Sequence, residues 1–270
     1  MSSTVIREMG DYTVVDLYGS TFRVANHWFW KKFDEKTWEP ETFSFYKRYT
    51  LKGFPVIDIG SWIGPTALIA VANGASYVKL IEANIATVDL LTETQELEPL
   101  LGEKFQVVHA CVLDKFGKVQ FGLPNGELQA SSGSSIKGFG SIVESITYQS
   151  VLKEVVEPSV IKIDIEGAEE KIIHDIVRFS SPSAAIWLSM HPPFFDSREI
   201  FVDALSSIYE KFHVLDSNFD SLAIDDFIQM IVSDLKYPSW GTEWGNFFEV
   251  ALLDRSKFEP GGLRHNAMVL

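Results

Sequence analysis

The sequence predicts an α/β fold in which a parallel sheet is covered by helices on both faces. Strands are expected near residues 56–59, 77–81, 105–110, 160–165 and 184–190, with helical patterns between most of them. Continuous apolar strands of this kind are typical of sheets buried on both faces. A glycine turn follows the first of these strands, and acidic residues end two others. Open α/β sheets bind ligands beyond the carboxyl ends of their strands, so a site is expected there.

The chain ahead of this sheet predicts a hairpin and an aromatic helical cap. Segments 12–17 and 21–24 favour a β-hairpin with a three-residue loop, Tyr18-Gly19-Ser20. Residues 26–50 then predict two short helices, the second beginning near Pro40. Most of the aromatic rings in this segment are expected to pack as a hydrophobic cap on the main domain. One or two are candidates for lining a pocket for a sugar.

The strand at 56–59 leads into a glycine turn that predicts a nucleotide-like ligand. Gly60 and Gly64 permit close backbone approach, and Pro65 suits a first helical position. Such a turn directs backbone N–H groups and the positive end of a helix towards the ligand. About 20 residues later the next strand ends in Glu82, where nucleotide-binding α/β folds place an acid for the ribose hydroxyls. Together these features indicate an adenosine-containing cofactor, although a strand–helix corner with an incidental acid is the alternative.

The residues of the turn favour a cofactor without phosphates. Trp62 stands where the dinucleotide motif G-x-G-x-x-G has its middle glycine, and a pyrophosphate would be crowded there. Gly64-Pro65-Thr66 lacks the lysine of a Walker A loop. The Asp58-x-Gly60 turn therefore suits S-adenosylmethionine, and an NAD-dependent oxidoreductase is the rival enzyme. Asp58 and the glycine backbone are the candidates for its amino-acid end, and Glu82 for its ribose.

A second group of polar residues follows the strands near 160–165 and 184–190. Asp164, Glu166 and His191 are expected to face the same crevice as Asp58 and Glu82. Acids and a histidine around one crevice are candidates for a general base or for metal ligands. In the alternative reading, the two acids cap the following helix and the histidine is a turn residue before two prolines.

Three segments of the chain resemble the FkbM-type methyltransferases. They are Asp58-x-Gly60-x-x-Ile63-Gly64, Glu82-Ala83-Asn84, and Lys162-Ile163-Asp164-Ile165-Glu166-Gly167-Ala168-Glu169, with a fourth similar segment at Trp38-Glu39-Pro40-Glu41. The resemblance implies a Rossmann-like, seven-stranded methyltransferase sheet with a reversed last strand. It also implies S-adenosylmethionine and methylation of hydroxyl groups on sugars and natural products. The chain departs from the family at Ala83, usually proline, and at Met190-His191, often an acid followed by histidine.

The resemblance and the motifs together define the candidate site of a methyltransferase domain over residues 51–270, preceded by the cap of residues 1–50. The cofactor-binding candidates are Glu41, Asp58, Gly60, Ser61, Trp62, Gly64, Glu82, Ala83, Asn84, Cys111 and Val112. The catalytic candidates are Asp164 or Glu166 beside the acceptor hydroxyl, assisted by His191. A divalent metal ion on the two acids is an alternative to a base, and the sequence does not decide between them. A non-catalytic protein that only binds the cofactor is the alternative of a different class.

Composition limits the classes of partner, the cysteine chemistry and the location that are expected. The formal net charge is −14, which opposes a nucleic-acid substrate, so a small-molecule or glycan acceptor is expected. Cys111 is the only cysteine, which excludes an intramolecular disulfide and a cysteine zinc site. Residues 1–10 lack the apolar segment of a secretory signal, and no apolar run is long enough to span a bilayer. The cytoplasm is the expected location, and the oligomeric state stays open.

The remaining segments complete the predicted domain. A helix is expected after Asp196, with Glu199 as its capping partner, and strands at 213–215 and 247–253 close the chain. The glycine- and serine-rich stretch 122–140 is either a lid over the substrate or a surface loop.

Overall fold

A computed structural model describes residues 4–123, 136, 139–233 and 247–259. The first half of the chain forms β1 (Val5–Glu8), β2 (Tyr12–Leu17), β3 (Ser20–Ala25), α1 (Pro40–Tyr49), β4 (Val56–Ile59), α2 (Pro65–Ala72), β5 (Val78–Glu82), α3 (Ile85–Leu97), α4 (Pro99–Lys104), β6 (Phe105–His109), β7 (Cys111–Leu113) and β8 (Gly117–Leu123). The second half forms β9 (Phe139–Thr147), α5 (Tyr148–Lys153), β10 (Val160–Ile163), α6 (Glu169–Phe179), β11 (Ala185–Met190), α7 (Arg198–Lys211), β12 (Phe212–Leu215), α8 (Ile224–Val232) and β13 (Phe248–Asp254).

The main sheet has seven strands in the order β12-β13-β11-β10-β4-β5-β6. The five strands from β11 to β6 are parallel, whereas β13 runs antiparallel to both of its neighbours. This confirms the α/β fold and the reversed last strand. The order of strands along the chain reverses between β4 and β10, and open α/β sheets bind their ligands at such a switch point.

Helices cover both faces of this sheet, as predicted. On one face, Val56, Leu80 and Trp187 pack with residues of α1, α2 and α3. On the other, Ile57 and Ile161 pack with residues of α5, α6 and α7. The alternation along β4 therefore turns Asp58 and its register partner Lys162 towards the first face, where both side chains are buried.

The N-terminal region forms a three-stranded antiparallel sheet, β1-β2-β3, that shares a hydrophobic core with the main domain. The prediction of a three-residue hairpin loop is wrong, because Ser20 already pairs with Leu17. The loop is Tyr18-Gly19, and both residues have positive φ, 50° and 86°. Two such residues make a type I′ turn, whose twist matches that of the flanking strands. Of the two predicted helices, the first is a 3₁₀ helix, Trp28–Lys32, and the second is α1.

The start of α7 differs from the prediction, and the structure also contains a sheet that was not predicted. The capping pair expected at Asp196 and Glu199 is wrong: α7 begins after Ser197, because buried Glu170 holds the N–H groups of Asp196 and Ser197 at 2.6 and 2.7 Å. A small sheet, β7-β9-β8, was not predicted at all.

Most of the proposed lid at 122–140 lies outside the described residues. None of the helices in the described part of the chain combines the length and apolarity that a bilayer crossing requires.

Candidate functional site

The glycine turn lies at the carboxyl edge of the sheet, beside the ends of the neighbouring strands β4 and β10. Gly60 has a φ of 77°, and a Cβ at this position would overlap the backbone carbonyl oxygen of Asp164. The N–H of Asp164 donates to the carbonyl of Ile59 at 2.9 Å, so the two strand ends stay in contact. Gly64, with a φ of 86°, precedes α2, and Pro65 is the first helical residue as predicted. Glycine at position 60 is therefore required by both conformation and space.

Glu82 connects this turn to the end of β5. Its Oε2 accepts the backbone N–H of Trp62 at 2.8 Å, and its Oε1 accepts that of Asn84 at 2.7 Å. Burial raises the pKa of Glu82 to about 7, against the opposing effect of these hydrogen bonds. The indole of Trp62 packs on the cap, 4.6 Å from Phe29 between ring centroids. The carboxylate is thus held beside the glycine turn by two backbone N–H groups, and its role towards a ribose stays a prediction.

Asp58 lies beneath the turn and is fully buried. Its Oδ2 accepts a hydrogen bond from Thr66, and its Oδ1 lies 3.8 Å from Lys162 Nζ. Lys162 donates to Asp164 Oδ2 at 3.0 Å and to the Gly60 carbonyl at 3.4 Å. Burial raises the pKa of Asp58, whereas Lys162 and His191 together outweigh burial at Asp164 and lower its pKa. Lys162 is therefore shared between two carboxylates and the glycine turn.

Two further acids, Glu39 and Glu249, extend this buried network. Thr42 Oγ1 lies 3.1 Å from Glu39 Oε2 and 3.2 Å from Glu249 Oε1, and the indole N–H of Trp187 donates to Glu249 at 2.9 Å. Burial raises the pKa of Glu249 to about 7, and burial and Glu249 together raise that of Glu39 well above its usual range. Sequence reasoning missed both acids. The signal for Glu249 was an isolated carboxylate within the apolar strand β13.

Three of the predicted cofactor-binding residues carry a buried polar atom without a hydrogen-bond partner among the described residues. These atoms are Glu41 Oε2, Asp58 Oδ1 and Ser61 Oγ. An unsatisfied buried polar atom costs about 1–3 kcal/mol, so proteins rarely retain one unless water or a ligand satisfies it. Asp58 and Ser61 lie at the glycine turn and fit a polar ligand there, and Glu41 lies in the first turn of α1.

The predicted catalytic residues are brought together just after the ends of β10 and β11. His191 Nε2 lies 3.7 Å from Asp164 Oδ1 and 3.8 Å from Glu166 Oε2. Burial acts to lower the pKa of His191, but Glu169 and Glu166 outweigh it and raise the pKa to about 10. Burial raises the pKa of Glu166 to about 7 although His191 opposes this shift. The segments after β10 and β11 thus bring two carboxylates and an imidazole within reach of one bound group.

Glu169 fixes the loop that carries these acids. Its carboxylate accepts the N–H groups of Ile165 and Gly167 at 3.1 and 3.0 Å, and lies 2.9 Å from His191 Nδ1. Glu166 has a left-handed conformation, with a φ of 52°. Such strained residues persist only where their surroundings hold them. Sequence reasoning missed this role of Glu169, although the residue ends the segment that resembles the FkbM-type family.

The candidates at the adenine end lie farther along the same edge. Cys111 and Val112 are buried in β7, and Cys111 packs with Ala83. Burial raises the pKa of the Cys111 thiol to about 12, so this sulfur is not a thiolate near neutral pH. Asn84 accepts the N–H of Ala86 at 3.1 Å and caps α3. Contacts of these residues with an adenine stay predictions.

Three methyltransferases are among the solved structures to which this chain is similar. A precorrin-6y C5,15-methyltransferase from Geobacter metallireducens GS-15 has a TM-score of 0.43 and 13% identity, over 80% of this chain and 88% of that one. Methyltransferase FkbM from Methylobacillus flagellatus KT has a TM-score of 0.46 and 13% identity, over 81% and 49%. A tRNA methyltransferase from M. jannaschii has a TM-score of 0.41 and 13% identity, over 90% and 53%. No family model and no curated protein matches the chain. Similarities this low establish neither a family nor an activity.

Proposed function

We propose that the protein is an S-adenosylmethionine-dependent methyltransferase that methylates a hydroxyl group of a sugar, glycan or small natural product. The observation that carries the proposal is the surplus of buried and partly buried carboxylates near the glycine turn. Asp58, Asp164, Glu39 and Glu249 share Lys162 as their nearby cation.

This surplus favours a cationic cofactor over one that carries phosphates. S-adenosylmethionine has a sulfonium and an ammonium group, and nearby positive charge stabilises ionised carboxylates. A pyrophosphate would instead add negative charge, and Lys162 is already engaged by Asp58 and Asp164. The same argument disfavours the rival NAD-dependent oxidoreductase.

The cofactor side of the crevice comprises Glu41, Asp58, the turn at 60–64 and Glu82. We assign the methionine end to the unsatisfied atoms of Glu41, Asp58 and Ser61, and the ribose to the backbone-held carboxylate of Glu82. Ala83, Asn84, Cys111 and Val112 lie along the same edge and are assigned to the adenine. When bound, the cofactor supplies an electrophilic methyl group.

The acceptor side comprises Asp164, Glu166 and His191. A sugar hydroxyl is a weak nucleophile, so these groups must orient it and provide for the departure of its proton. Holding the hydroxyl oxygen in line with the methyl group contributes several kcal/mol through positioning alone. We therefore assign orientation and proton removal to this side, and cofactor binding to the other.

Calorimetric titration tests the cofactor. S-adenosylmethionine, its demethylated product and NAD are titrated into the wild type and into Ser61→Ala, which removes a hydroxyl that has no hydrogen-bond partner among the described residues. We expect the wild type to bind the first two ligands and not NAD, and Ser61→Ala to bind them about 2–10-fold more weakly, as for one lost hydrogen bond. Thr50→Ala is the matched control, because it removes another unsatisfied buried hydroxyl beyond the far end of α1.

The outcomes separate the alternatives. A preference for NAD, or no binding of any of the three ligands, contradicts the proposed cofactor. Equal affinities of Ser61→Ala and Thr50→Ala contradict the position assigned to the methionine end. Cofactor binding without methyl transfer to any acceptor in a screen that begins with sugars supports the non-catalytic alternative.

A further inference from the structure

We propose that Asp164, Glu166 and His191 form a binding site for a divalent metal ion, and that Glu169 orients the imidazole. The existence of the site is independent of the cofactor. Its role in activating the acceptor hydroxyl rests on the proposed methyltransferase function.

The spacing of the three side chains suits a single ion. One nitrogen and two carboxylate oxygens all lie within 4.8 Å of one another. Ligand atoms bound to one ion at about 2.0–2.2 Å lie at most about 4.4 Å apart. Shifts of a few tenths of an ångström would therefore close the three groups around the ion. Glu166 and Asp164 are less buried than His191, which leaves access for the ion and for water ligands.

The second observation is that one ring nitrogen of His191 makes only long contacts with the two acids. The residue is 6% exposed, and its Nδ1 is occupied by Glu169 at 2.9 Å. Its Nε2 faces Asp164 and Glu166 from 3.7 and 3.8 Å, beyond hydrogen-bond distance. An ion that displaces the proton of Nε2 would replace these long contacts with direct bonds to all three side chains.

Glu169 supplies the outer contact that histidine ligands commonly have. A histidine that binds a metal usually donates its other N–H to a carboxylate or carbonyl, which fixes the tautomer and the ring. Glu169 is fully buried and also accepts the N–H groups of Ile165 and Gly167. One carboxylate thus positions the imidazole and the loop that carries Glu166, so the ligands are held in place together.

The donor set indicates the class of ion. Two carboxylates and one imidazole suit first-row divalent ions such as Mn²⁺, with water completing the coordination. Mg²⁺ prefers oxygen ligands alone and should bind more weakly. A bound divalent ion lowers the pKa of a coordinated hydroxyl group, which would ease removal of the acceptor proton.

The test is titration of the metal-free full chain with MnCl₂ alone, followed by calorimetry and by the electron paramagnetic resonance of free Mn²⁺. We expect one site in the wild type, and at least about tenfold weaker binding in Asp164→Asn, Glu166→Gln and His191→Gln. Asp225→Asn, an exposed acid on α8, should bind as the wild type does. Glu169→Gln should bind Mn²⁺ about 10–100-fold more weakly while its affinity for S-adenosylmethionine is unchanged.

Each outcome decides a separate point. A wild-type dissociation constant above about 1 mM, or ligand variants that bind like the wild type, would overturn the metal site. Unchanged Mn²⁺ binding by Glu169→Gln would overturn the positioning role alone. Titration of the same metal-free protein with S-adenosylmethionine distinguishes the two proposals. Cofactor binding without Mn²⁺ binding overturns only the metal site, and Mn²⁺ binding without cofactor binding overturns only the proposed function.

Discussion

The proposed cofactor side and the proposed acceptor side of the site hold their carboxylates by different means. On the cofactor side, Glu82 is fixed by two backbone N–H groups from the turn and from the residues just after β5. On the acceptor side, Asp164 and Glu166 face the side chains of Lys162 and His191, which come from two different strand ends. The first arrangement depends on local chain conformation, and the second depends on the assembled sheet. Removing a side-chain cation should therefore lower the free energy of unfolding more than removing an acid that is held by backbone N–H groups.

The largest effect is expected for Lys162→Met. Removing this cation leaves Asp58 without its nearby cation and Asp164 with His191 alone, and breaking a buried ion pair in this way costs roughly 3–5 kcal/mol. Lys79→Met is the matched control, because Lys79 is an equally buried strand lysine whose partner Glu154 is exposed. Urea unfolding at neutral pH measures both variants. Equal losses would show that the acids beneath the turn do not depend on Lys162.

The next effect concerns the contact between the two sides. Gly60→Ala introduces a Cβ that overlaps the Asp164 carbonyl oxygen in a left-handed conformation, so the free energy of unfolding should fall by roughly 2–5 kcal/mol. Gly53→Ala separates the two causes, since Gly53 has a φ of 82° but open space around it. Thermal unfolding should show a clearly larger loss for Gly60→Ala. Losses of the same size would mean that the strand ends are not in tight contact.

The sequence predicted the glycine turn better than the side-chain contacts around Asp164 and His191, for a physical reason. Gly60, Gly64 and Pro65 are constrained by their own φ angles and by the start of α2, so a short segment carries the information. The five parallel strands were equally visible, because buried strands are apolar along their whole length. The reversed β13 was implied by the family resemblance, and the pairing in the structure confirms it.

Residues that act through distant partners were not predictable in the same way. Glu249 joins Glu39 only because β13 is inserted beside β11, which brings Glu249 to Thr42 of α1, 207 positions away. Glu169 reaches His191 across 22 positions, and nothing in its own segment distinguishes it from a helix-capping acid. The hairpin loop was wrong by one residue because Tyr18 takes a positive φ that sequence reasoning assigns to glycine or asparagine.

A smaller effect is expected in the pH dependence of stability. Burial raises the pKa of Glu249 to about 7 in the folded protein, above the usual value of 4.5, so the folded state holds this proton more tightly. Its contribution is fully present below about pH 4.5 and is lost as the pH rises through about 7. The Glu249→Gln side chain cannot titrate. Between about pH 4.5 and 7, the free energy of unfolding of this variant should therefore fall by roughly 1–3 kcal/mol less than that of the wild type. Exposed Glu210→Gln serves as the control, and denaturant unfolding from pH 4 to 8 measures all three proteins. Parallel curves for Glu249→Gln and the wild type would contradict the shift.

The smallest change in free energy is expected for Glu82→Ala. This variant separates a role of Glu82 in cofactor binding from a role in stabilising the glycine turn. Glu82→Ala removes a charge-assisted acceptor, so the affinity for S-adenosylmethionine should fall about tenfold or more. The variant should also lose stability, because the N–H groups of Trp62 and Asn84 lose their acceptor.

Asp216→Ala is the matched control for that loss of stability. Asp216 also accepts two backbone N–H groups, from Asn218 and Asp220 at 2.9 Å, but it follows β12, five strand positions from β5. At about 4.8 Å per strand it lies roughly 24 Å away, so its loss should leave cofactor affinity unchanged. If calorimetry gave both variants the affinity of the wild type, Glu82 would only brace the turn and the ribose assignment would be wrong. A loss of affinity confined to Glu82→Ala would instead give this backbone-held acid a direct part in binding.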